Sequence, residues 1–153
     1  MSDRPSESQI LLIVEDNEED YEAITRAFKK VQLRNPIFWC KSGREVLDFL
    51  RRAAPSDNKK PLLGLILLDL NMPGLDGRQT LQAIKEDATL KRIPVVIFTT
   101  SSNERDVQGC YQMGANAYMQ KPSSFQGMIR VAESIKNYWF ETALLPKNGH
   151  TPE

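Results

Sequence analysis

The sequence predicts a doubly wound α/β fold, in which helices cover both faces of a five-stranded parallel sheet. Short apolar runs alternate five times with amphipathic stretches of helical period. Several of these runs are almost continuously hydrophobic, which is typical of strands buried on both faces. The length of 153 residues suits one domain with one core. Five strand–helix units joined by right-handed crossovers then give the doubly wound topology.

The first two strand–helix units are marked by their helix starts. Residues 9–14 are apolar and predict the first strand, after which Asn17 caps a helix that extends to about residue 31. Residues 36–40 predict the second strand. Ser42 and Glu45 have the capping-box spacing that opens the second helix.

The remaining units are separated by turn-forming residues. In chain order we predict a surface loop over residues 51–61, a strand over 62–68, a helix over 78–87, a strand over 93–98, a helix from 103 to Gly114, a strand over 117–120 and a helix over 124–140.

Composition excludes several classes of function. Lys plus Arg total 20, and Asp plus Glu also total 20. The chain therefore lacks the excess of basic residues that is usual in DNA-binding proteins. No apolar run is long enough to span a membrane, and residues 1–9 lack the apolar core of a signal peptide, so a cytoplasmic location is expected. The only histidine, His150, lies in the polar tail, which argues against a His-based triad or a zinc site.

The domain organisation is expected to be simple. We predict a flexible tail over residues 1–8, one domain with a helical C-terminal extension over residues 9–146 and a disordered tail over residues 147–153. No output module is expected after the last helix, so a signal would leave through protein contacts.

Polar residues follow four of the predicted strands. Glu15 and Asp16 follow the first strand, Asp69 the third, Thr99 the fourth and Lys121 the fifth. The carboxyl ends of parallel strands meet at one edge of the sheet, where such folds bind their ligands. We therefore expect three carboxylates, a hydroxyl and an ammonium around one crevice.

This set of groups suits phosphoryl transfer. Clustered carboxylates repel one another unless a cation lies among them, and Mg²⁺ is the hard ion that binds carboxylates, water and phosphoryl oxygens together. A shielded Asp69 is a competent nucleophile toward phosphorus. Lys121 and Thr99 are then placed to pair with the phosphoryl oxygens.

The sequence resembles the receiver domain of two-component response regulators. The matching features are the acidic pair Glu15-Asp16, LLDLNMPGLDG over residues 67–77, PVVIFTT over 94–100, Tyr118, and Lys121-Pro122. The match covers roughly residues 10–138. It implies the flavodoxin-like (βα)5 receiver fold.

The resemblance also implies a metal site around the phospho-acceptor Asp69. Asp16, Asp69 and the backbone carbonyl of Asn71 would bind Mg²⁺ directly, with Mn²⁺ as the alternative ion. Glu15 would act at the metal through water, although most relatives have Asp there.

A switch follows from the same resemblance. Thr99 would move toward the phosphoryl group, Tyr118 would turn inward with it, and Lys121 would bridge to the phosphoryl oxygens. The Lys121–Pro122 peptide bond is expected to be cis. Asn71 and Ser101 occupy the positions that influence water access during dephosphorylation, and neither is a strong base.

The expected partners are a sensor histidine kinase and a second copy of the chain. The C-terminal segment, the loop over residues 51–61 and residues 91–101 resemble the small regulators of cyanobacterial phytochrome kinases. This resemblance suggests that the kinase is a phytochrome. Apolar residues over 138–146 exceed what the last helix needs, so we predict a homodimer through helix four, strand five, helix five and this extension. The alternative is that the extension folds back on its own domain.

The same residues partly match other kinds of site. A calcium loop starting at Asp69 fails because Pro73 and Thr80 occupy positions that need ligands. A flavin or nucleotide site fails because the loop after strand one is acidic. We expect a protein that is not a turnover enzyme. Two alternatives stay open: a metal-dependent phosphatase or phosphotransferase for small molecules, and a degenerate receiver that only binds a partner.

Overall fold

The computed structural model describes residues 9–52 and 63–146. The strands are Ile10–Val14 (β1), Ile37–Cys40 (β2), Leu63–Leu68 (β3), Val95–Thr99 (β4) and Ala117–Gln120 (β5). The α-helices are Glu18–Lys30 (α1), Gly43–Arg52 (α2), Gly77–Glu86 (α3), Glu104–Gln112 (α4) and Phe125–Ile135 (α5). A 3₁₀ turn spans Leu90–Arg92, and a π-helix, Lys136–Thr142, continues α5.

The strands form one parallel sheet in the order β2-β1-β3-β4-β5. The order of strands reverses beside β1, which has β2 on one side and β3 on the other. This is the flavodoxin-like doubly wound topology, so the predicted fold class is confirmed. Val14 lies opposite Leu68 in the ladder between β1 and β3, which places the carboxyl ends of these two strands side by side.

The core has two layers, one on each face of the sheet. Leu11 and Ile13 of β1 pack toward α1 and α5, whereas Leu12 and Val14 pack toward α2, α3 and α4. Both sets are buried, as the continuous apolar run predicts for a central strand. The two cysteines, Cys40 and Cys110, are free and buried.

The helix starts largely follow the predicted caps. Asn17 accepts a 2.8 Å hydrogen bond from the backbone N–H of Asp20 at the start of α1. The hydroxyl of Ser42 accepts from the backbone of Glu45 at 3.1 Å. The carboxylate of Glu45 accepts from the backbone of Lys41 at 2.8 Å, one residue before the partner that a capping box predicts.

The strand predicted over residues 93–98 begins two residues later, at Val95, and the loop predicted after α2 was placed too early. Arg51 and Arg52 belong to α2, where the sequence predicted the start of a loop, because the helix continues past its last buried residue on exposed side chains. The remainder of that loop, residues 53–62, and the predicted tails over 1–8 and 147–153 lie outside the described residues.

The end of the last helix also differs from the prediction of one α-helix to residue 140. The backbone changes to a π-helix after Ile135. Phe140 follows Ile135 by five positions, which is the hydrogen-bond spacing of a π-helix, and both side chains are buried in the same core layer. The wider turn therefore keeps both residues on the inner face.

The C-terminal extension divides between core and surface. Phe140 is 3% exposed, and Trp139 and Leu145 pack against the core layer of α1 and α5. Tyr138 and Leu144 remain 56% and 99% exposed. The extension thus folds back on its own domain through Phe140 and Leu145, and it leaves two apolar side chains at the surface. No described helix has the length and hydropathy needed to cross a bilayer.

Candidate metal and phosphoryl-transfer site

The structure brings the predicted residues to the carboxyl edge of the sheet through backbone pairing. The N–H of Asp69 donates to the carbonyl of Val14 at 3.1 Å, which joins the end of β3 to the end of β1. The N–H of Lys121 donates to the carbonyl of Thr99 at 2.7 Å, which joins the residue after β5 to the end of β4. The site is therefore fixed by the sheet itself.

Three carboxylates form a cluster that suits a metal ion. Glu15, Asp16 and Asp69 each offer an oxygen, and these oxygens lie within 4.8 Å of one another. Glu15 and Asp69 are 2% and 6% exposed, whereas Asp16 faces solvent. An all-oxygen donor set with one side open to water fits a hard divalent cation.

The ammonium of Lys121 contacts three carboxylates in this crevice. Its Nζ lies 2.6 Å from Glu15 Oε1, 2.9 Å from Asp20 Oδ2 and 3.2 Å from Asp69 Oδ2. The side chain of Lys121 is only 6% exposed. Sequence reasoning missed Asp20, because acidic residues in the first turn of a helix are common and stabilise it through the helix dipole.

Burial and charge set the protonation of this cluster. Burial raises the pKa of Glu15 to about 7, with the hydrogen bond from Lys121 opposing the rise and the charge of Asp69 adding to it. Burial alone would lower the pKa of Lys121, but its hydrogen bonds to Glu15 and Asp20 and the charge of Asp69 raise that pKa above its ordinary value. Lys121 is therefore a permanent cation here.

Asn71 connects the carboxylate of Asp69 to the hydroxyl of Thr99. Its backbone N–H lies 3.3 Å from Asp69 Oδ1, and its side-chain amide donates to Thr99 Oγ1 at 3.3 Å. Thr99 is fully buried. A hydroxyl that accepts this bond still has its own proton to donate to another oxygen.

Tyr118 and Ser101 lie on the neighbouring side of the site. The hydroxyl of Tyr118 donates to the backbone carbonyl of Ser101 at 2.9 Å. The hydroxyl of Ser101 donates to Asp106 at 2.7 Å, and Arg78 of α3 contacts the same carboxylate. Arg78 and Ser101 together lower the pKa of Asp106. These contacts tie the segment after β4 to α3, α4 and β5.

One expectation at this edge was wrong. The described residues contain no cis peptide bond, so the Lys121–Pro122 bond is trans. The trans isomer is the more stable form of most X–Pro bonds by about 0.5–1 kcal/mol.

Trp39 is a second residue in contact with the site that the sequence did not reveal. It lies on the edge strand β2, and its indole Nε1 donates to the backbone carbonyl of Glu15 at 2.7 Å. Its ring stacks on Tyr21 of α1 with the centroids 3.9 Å apart. An aromatic residue in a strand gives no sequence signal of such a contact, because the same residue type is common in cores.

Comparison with known proteins identifies a family and a relative of similar length. Residues 11–133 match the family described as the response regulator receiver domain. The chain is 36% identical over 146 residues to the response regulator Rcp1 of Synechocystis sp., and the alignment covers 95% of this chain and 99% of Rcp1.

Two solved structures extend this similarity to the fold. The phosphorylated cyanobacterial phytochrome response regulator RcpA matches with a TM-score of 0.80 and 36% identity, over 91% of this chain and 99% of RcpA. The Mn²⁺-bound form of Rcp1 matches with a TM-score of 0.79 and 35% identity, over 90% of this chain and 99% of that one. The similarity therefore spans nearly the whole chain.

Proposed function

The chain belongs to the response regulator receiver family, and we propose that it accepts a phosphoryl group from a sensor histidine kinase on Asp69 and signals through altered protein contacts. The observation that carries this proposal is the position of Lys121 Nζ, 3.2 Å from the Asp69 carboxylate and beside the three-carboxylate cluster. A nucleophile, a cation site and a fixed ammonium are the groups that phosphoryl transfer needs.

The metal site in this proposal consists of Glu15, Asp16, Asp69 and the backbone carbonyl of Asn71. Mg²⁺ is the ion we favour, with Mn²⁺ as the alternative, in keeping with the Mn²⁺-bound form of the relative Rcp1. When bound, the ion neutralises negative charge on the acceptor and on the incoming phosphoryl group.

The residues of the chain then have separate roles in the transfer. An oxygen of Asp69 forms a bond to phosphorus while the phosphorus–nitrogen bond of the phosphohistidine donor breaks and imidazole leaves. Lys121 donates to a phosphoryl oxygen with the N–H that now faces Asp69. The Thr99 hydroxyl supplies a second donor.

The same geometry suggests how the signal leaves the site. Movement of Thr99 toward the phosphoryl group would release its contact with Asn71, and Tyr118 would reposition with the segment that contains Ser101. This repositioning alters the surface of α4, β5 and α5, where we place the partner contacts. Sequence similarity to RcpA favours a phytochrome as the kinase.

We also propose a homodimer through α4, β5, α5 and the exposed part of the C-terminal extension. Tyr138 and Leu144 are the exposed apolar side chains of that extension. β5 is an edge strand, and the hydroxyl of Tyr111 already accepts from the backbone N–H of Tyr118 at 3.1 Å. One backbone donor of this edge strand is therefore already paired within the chain.

We propose that the protein catalyses its own phosphorylation and a slow autodephosphorylation, and that it is not a turnover enzyme. Neither Asn71 nor Ser101 is a strong base, and the Ser101 hydroxyl is engaged with Asp106. We place the protein in the cytoplasm, because phosphohistidine donors are made from ATP there, and we expect no DNA contact.

Phosphorylation by a small donor tests the proposal. The full chain is incubated with acetyl phosphate and Mg²⁺, and its intact mass is measured with and without a chelator. We expect the gain of one phosphoryl group in the wild type and in the control Asp48→Asn, an exposed residue of α2, but not in Asp69→Asn. Continuous consumption of acetyl phosphate with no protein adduct would favour the phosphatase alternative.

A further inference from the structure

We propose that Asp20 is a positioning residue of the phosphoryl-transfer site, which keeps the Lys121 ammonium beside Asp69 when a divalent cation engages the other carboxylates. The inference rests on the proposed function of Asp69. It adds to that function a residue of α1 that lies 101 positions from Lys121 in the chain.

The hydrogen-bonding capacity of Lys121 is fully used in the structure. An ammonium group has three N–H donors, and Lys121 contacts one oxygen on each of three carboxylates. The contacts to Glu15 and Asp20 are short, at 2.6 and 2.9 Å, whereas the contact to Asp69 is 3.2 Å. A phosphoryl oxygen that binds Lys121 must therefore replace one of these partners, and the longest contact is the one to the acceptor.

The two short contacts differ in their surroundings. Glu15 is 2% exposed and shares the three-carboxylate cluster with Asp16 and Asp69. A divalent cation in that cluster competes with Lys121 for the Glu15 charge. Among the described residues Asp20 is outside the cluster, so its carboxylate stays available to Lys121 when the cation is bound.

The backbone around Asp20 is well fixed. Asp20 is in the first turn of α1, and its N–H is bonded to the side chain of Asn17 at 2.8 Å. Its carboxylate reaches across to the residue that follows β5. A hydrogen bond between two charged groups is stronger than a neutral one, but the 46% exposure of the Asp20 side chain allows water to screen it. The expected effect is therefore moderate.

Three variants separate positioning from general charge. Asp20→Ala removes the acceptor and the charge, Asp20→Asn keeps an oxygen acceptor without the charge, and Glu19→Ala removes one exposed carboxylate from the same turn. With acetyl phosphate and Mg²⁺, we expect Asp20→Ala to be phosphorylated about tenfold more slowly than the wild type, Asp20→Asn to stay within about threefold and Glu19→Ala to be unchanged.

Two kinetic results would overturn the proposal. One is a phosphorylation rate of Asp20→Ala within about twofold of the wild-type rate, since the loss of a charge-assisted hydrogen bond should lower the rate by more than that. The other is a phosphorylation rate that falls equally in Asp20→Asn and Asp20→Ala, or that falls as much in Glu19→Ala. Either result would assign the effect to the charge alone.

The second readout does not depend on phosphorylation. The ammonium signal of Lys121 is assigned by nitrogen NMR through its loss in Lys121→Arg, and it is followed in Mg²⁺ without a phosphoryl donor. We expect slow proton exchange with water in the wild type and rapid exchange in Asp20→Ala. Unchanged exchange in Asp20→Ala would refute the positioning role. If the wild type accepted no phosphoryl group at all, the function proposed for Asp69 would fail, and this comparison would still decide the role of Asp20.

Discussion

Trp39 and Glu15 are joined by a 2.7 Å hydrogen bond from the indole Nε1 to the backbone carbonyl. The bond connects the edge strand β2 to the acidic residues that follow β1. Because the Trp39 ring is also stacked on Tyr21 of α1, the indole is fixed on one face and orients the Glu15 backbone with little freedom. The carboxylate cluster is therefore supported from the edge of the sheet.

Replacing Trp39 by Phe should weaken metal binding. The variant keeps an aromatic ring against Tyr21 but loses the donor to Glu15, so we expect the dissociation constant for Mg²⁺ to rise roughly two- to fivefold and the free energy of unfolding to fall by about 1 kcal/mol. Titration calorimetry and urea denaturation measure the two effects. Tyr21→Phe, which keeps the stack and the hydrogen bond, is the matched control. Equal Mg²⁺ affinity in Trp39→Phe and Tyr21→Phe would contradict this role of the indole.

Metal affinity should increase with pH through neutrality. Glu15 has a pKa of about 7 in the metal-free fold, so it is largely protonated at pH 6 and must lose its proton when the cation binds. We expect tighter Mg²⁺ binding at pH 8 than at pH 6, with proton release detectable by calorimetry in buffers of different ionisation enthalpy. Glu15→Gln should remove this dependence. Affinity that is constant over this range in the wild type would show that Glu15 is already ionised.

The same pKa shift has a consequence for the stability of the metal-free protein. The folded state binds the Glu15 proton more tightly than the unfolded state, whose ordinary value is 4.5. The stabilising contribution is therefore complete below pH 4.5 and is lost as the pH rises to about 7. Urea denaturation without metal should show this loss in the wild type relative to Glu15→Gln, and a wild-type stability that rose over this interval relative to Glu15→Gln would contradict it.

Two glycines on α3 and α4 should respond oppositely to alanine. A Cβ at Gly77 would lie 2.2 Å from the carbonyl oxygen of Asp69 and 2.5 Å from Leu70 Cα, so the backbone after Asp69 must move. We expect Gly77→Ala to lose about 1–3 kcal/mol of stability and to be phosphorylated more slowly. Gly109 has open space around it inside α4, so Gly109→Ala should gain about 0.5–1 kcal/mol. Urea denaturation compares the two, and a stable, fully active Gly77→Ala would contradict the close packing.

The proposed dimer should dissociate when its exposed apolar residues become charged. Tyr138→Lys combined with Leu144→Lys changes side chains that are 56% and 99% exposed, so the monomer should stay folded. We expect sedimentation to show a monomer for this double variant and a dimer for the wild type. Phe38→Lys, on the opposite edge strand and 44% exposed, is the control. An unchanged mass in the double variant would exclude this surface. Truncation at Lys136 would be less informative, because it also removes the buried Phe140.

The fold and the location of the site were predictable from local signals. The apolar run of β1 and the cap at Asn17 specify their elements with little help from the rest of the chain. Residues that end parallel strands must lie at one edge of the sheet, so the meeting of Glu15, Asp69 and Lys121 follows from chain order alone.

Side-chain contacts between distant elements were not predictable in this way. The contact of Asp20 with Lys121 depends on how α1 lies against the end of β5, and the bond from Trp39 depends on the orientation of one ring. The π-helix after Ile135 arises because Phe140 is buried against the sheet, and tertiary packing of this kind overrides local helix preference.

Locating the phosphoryl group on the chain tests whether Asp69 is the residue that accepts it. The protein is treated with acetyl phosphate and Mg²⁺ and then with borohydride, which reduces an aspartyl phosphate to homoserine, and the peptides are sequenced by mass spectrometry. We predict homoserine at position 69, and no reduced side chain at any other aspartate or at any glutamate. Homoserine elsewhere, or an unmodified Asp69 under these conditions, would contradict the assignment of Asp69 as the acceptor.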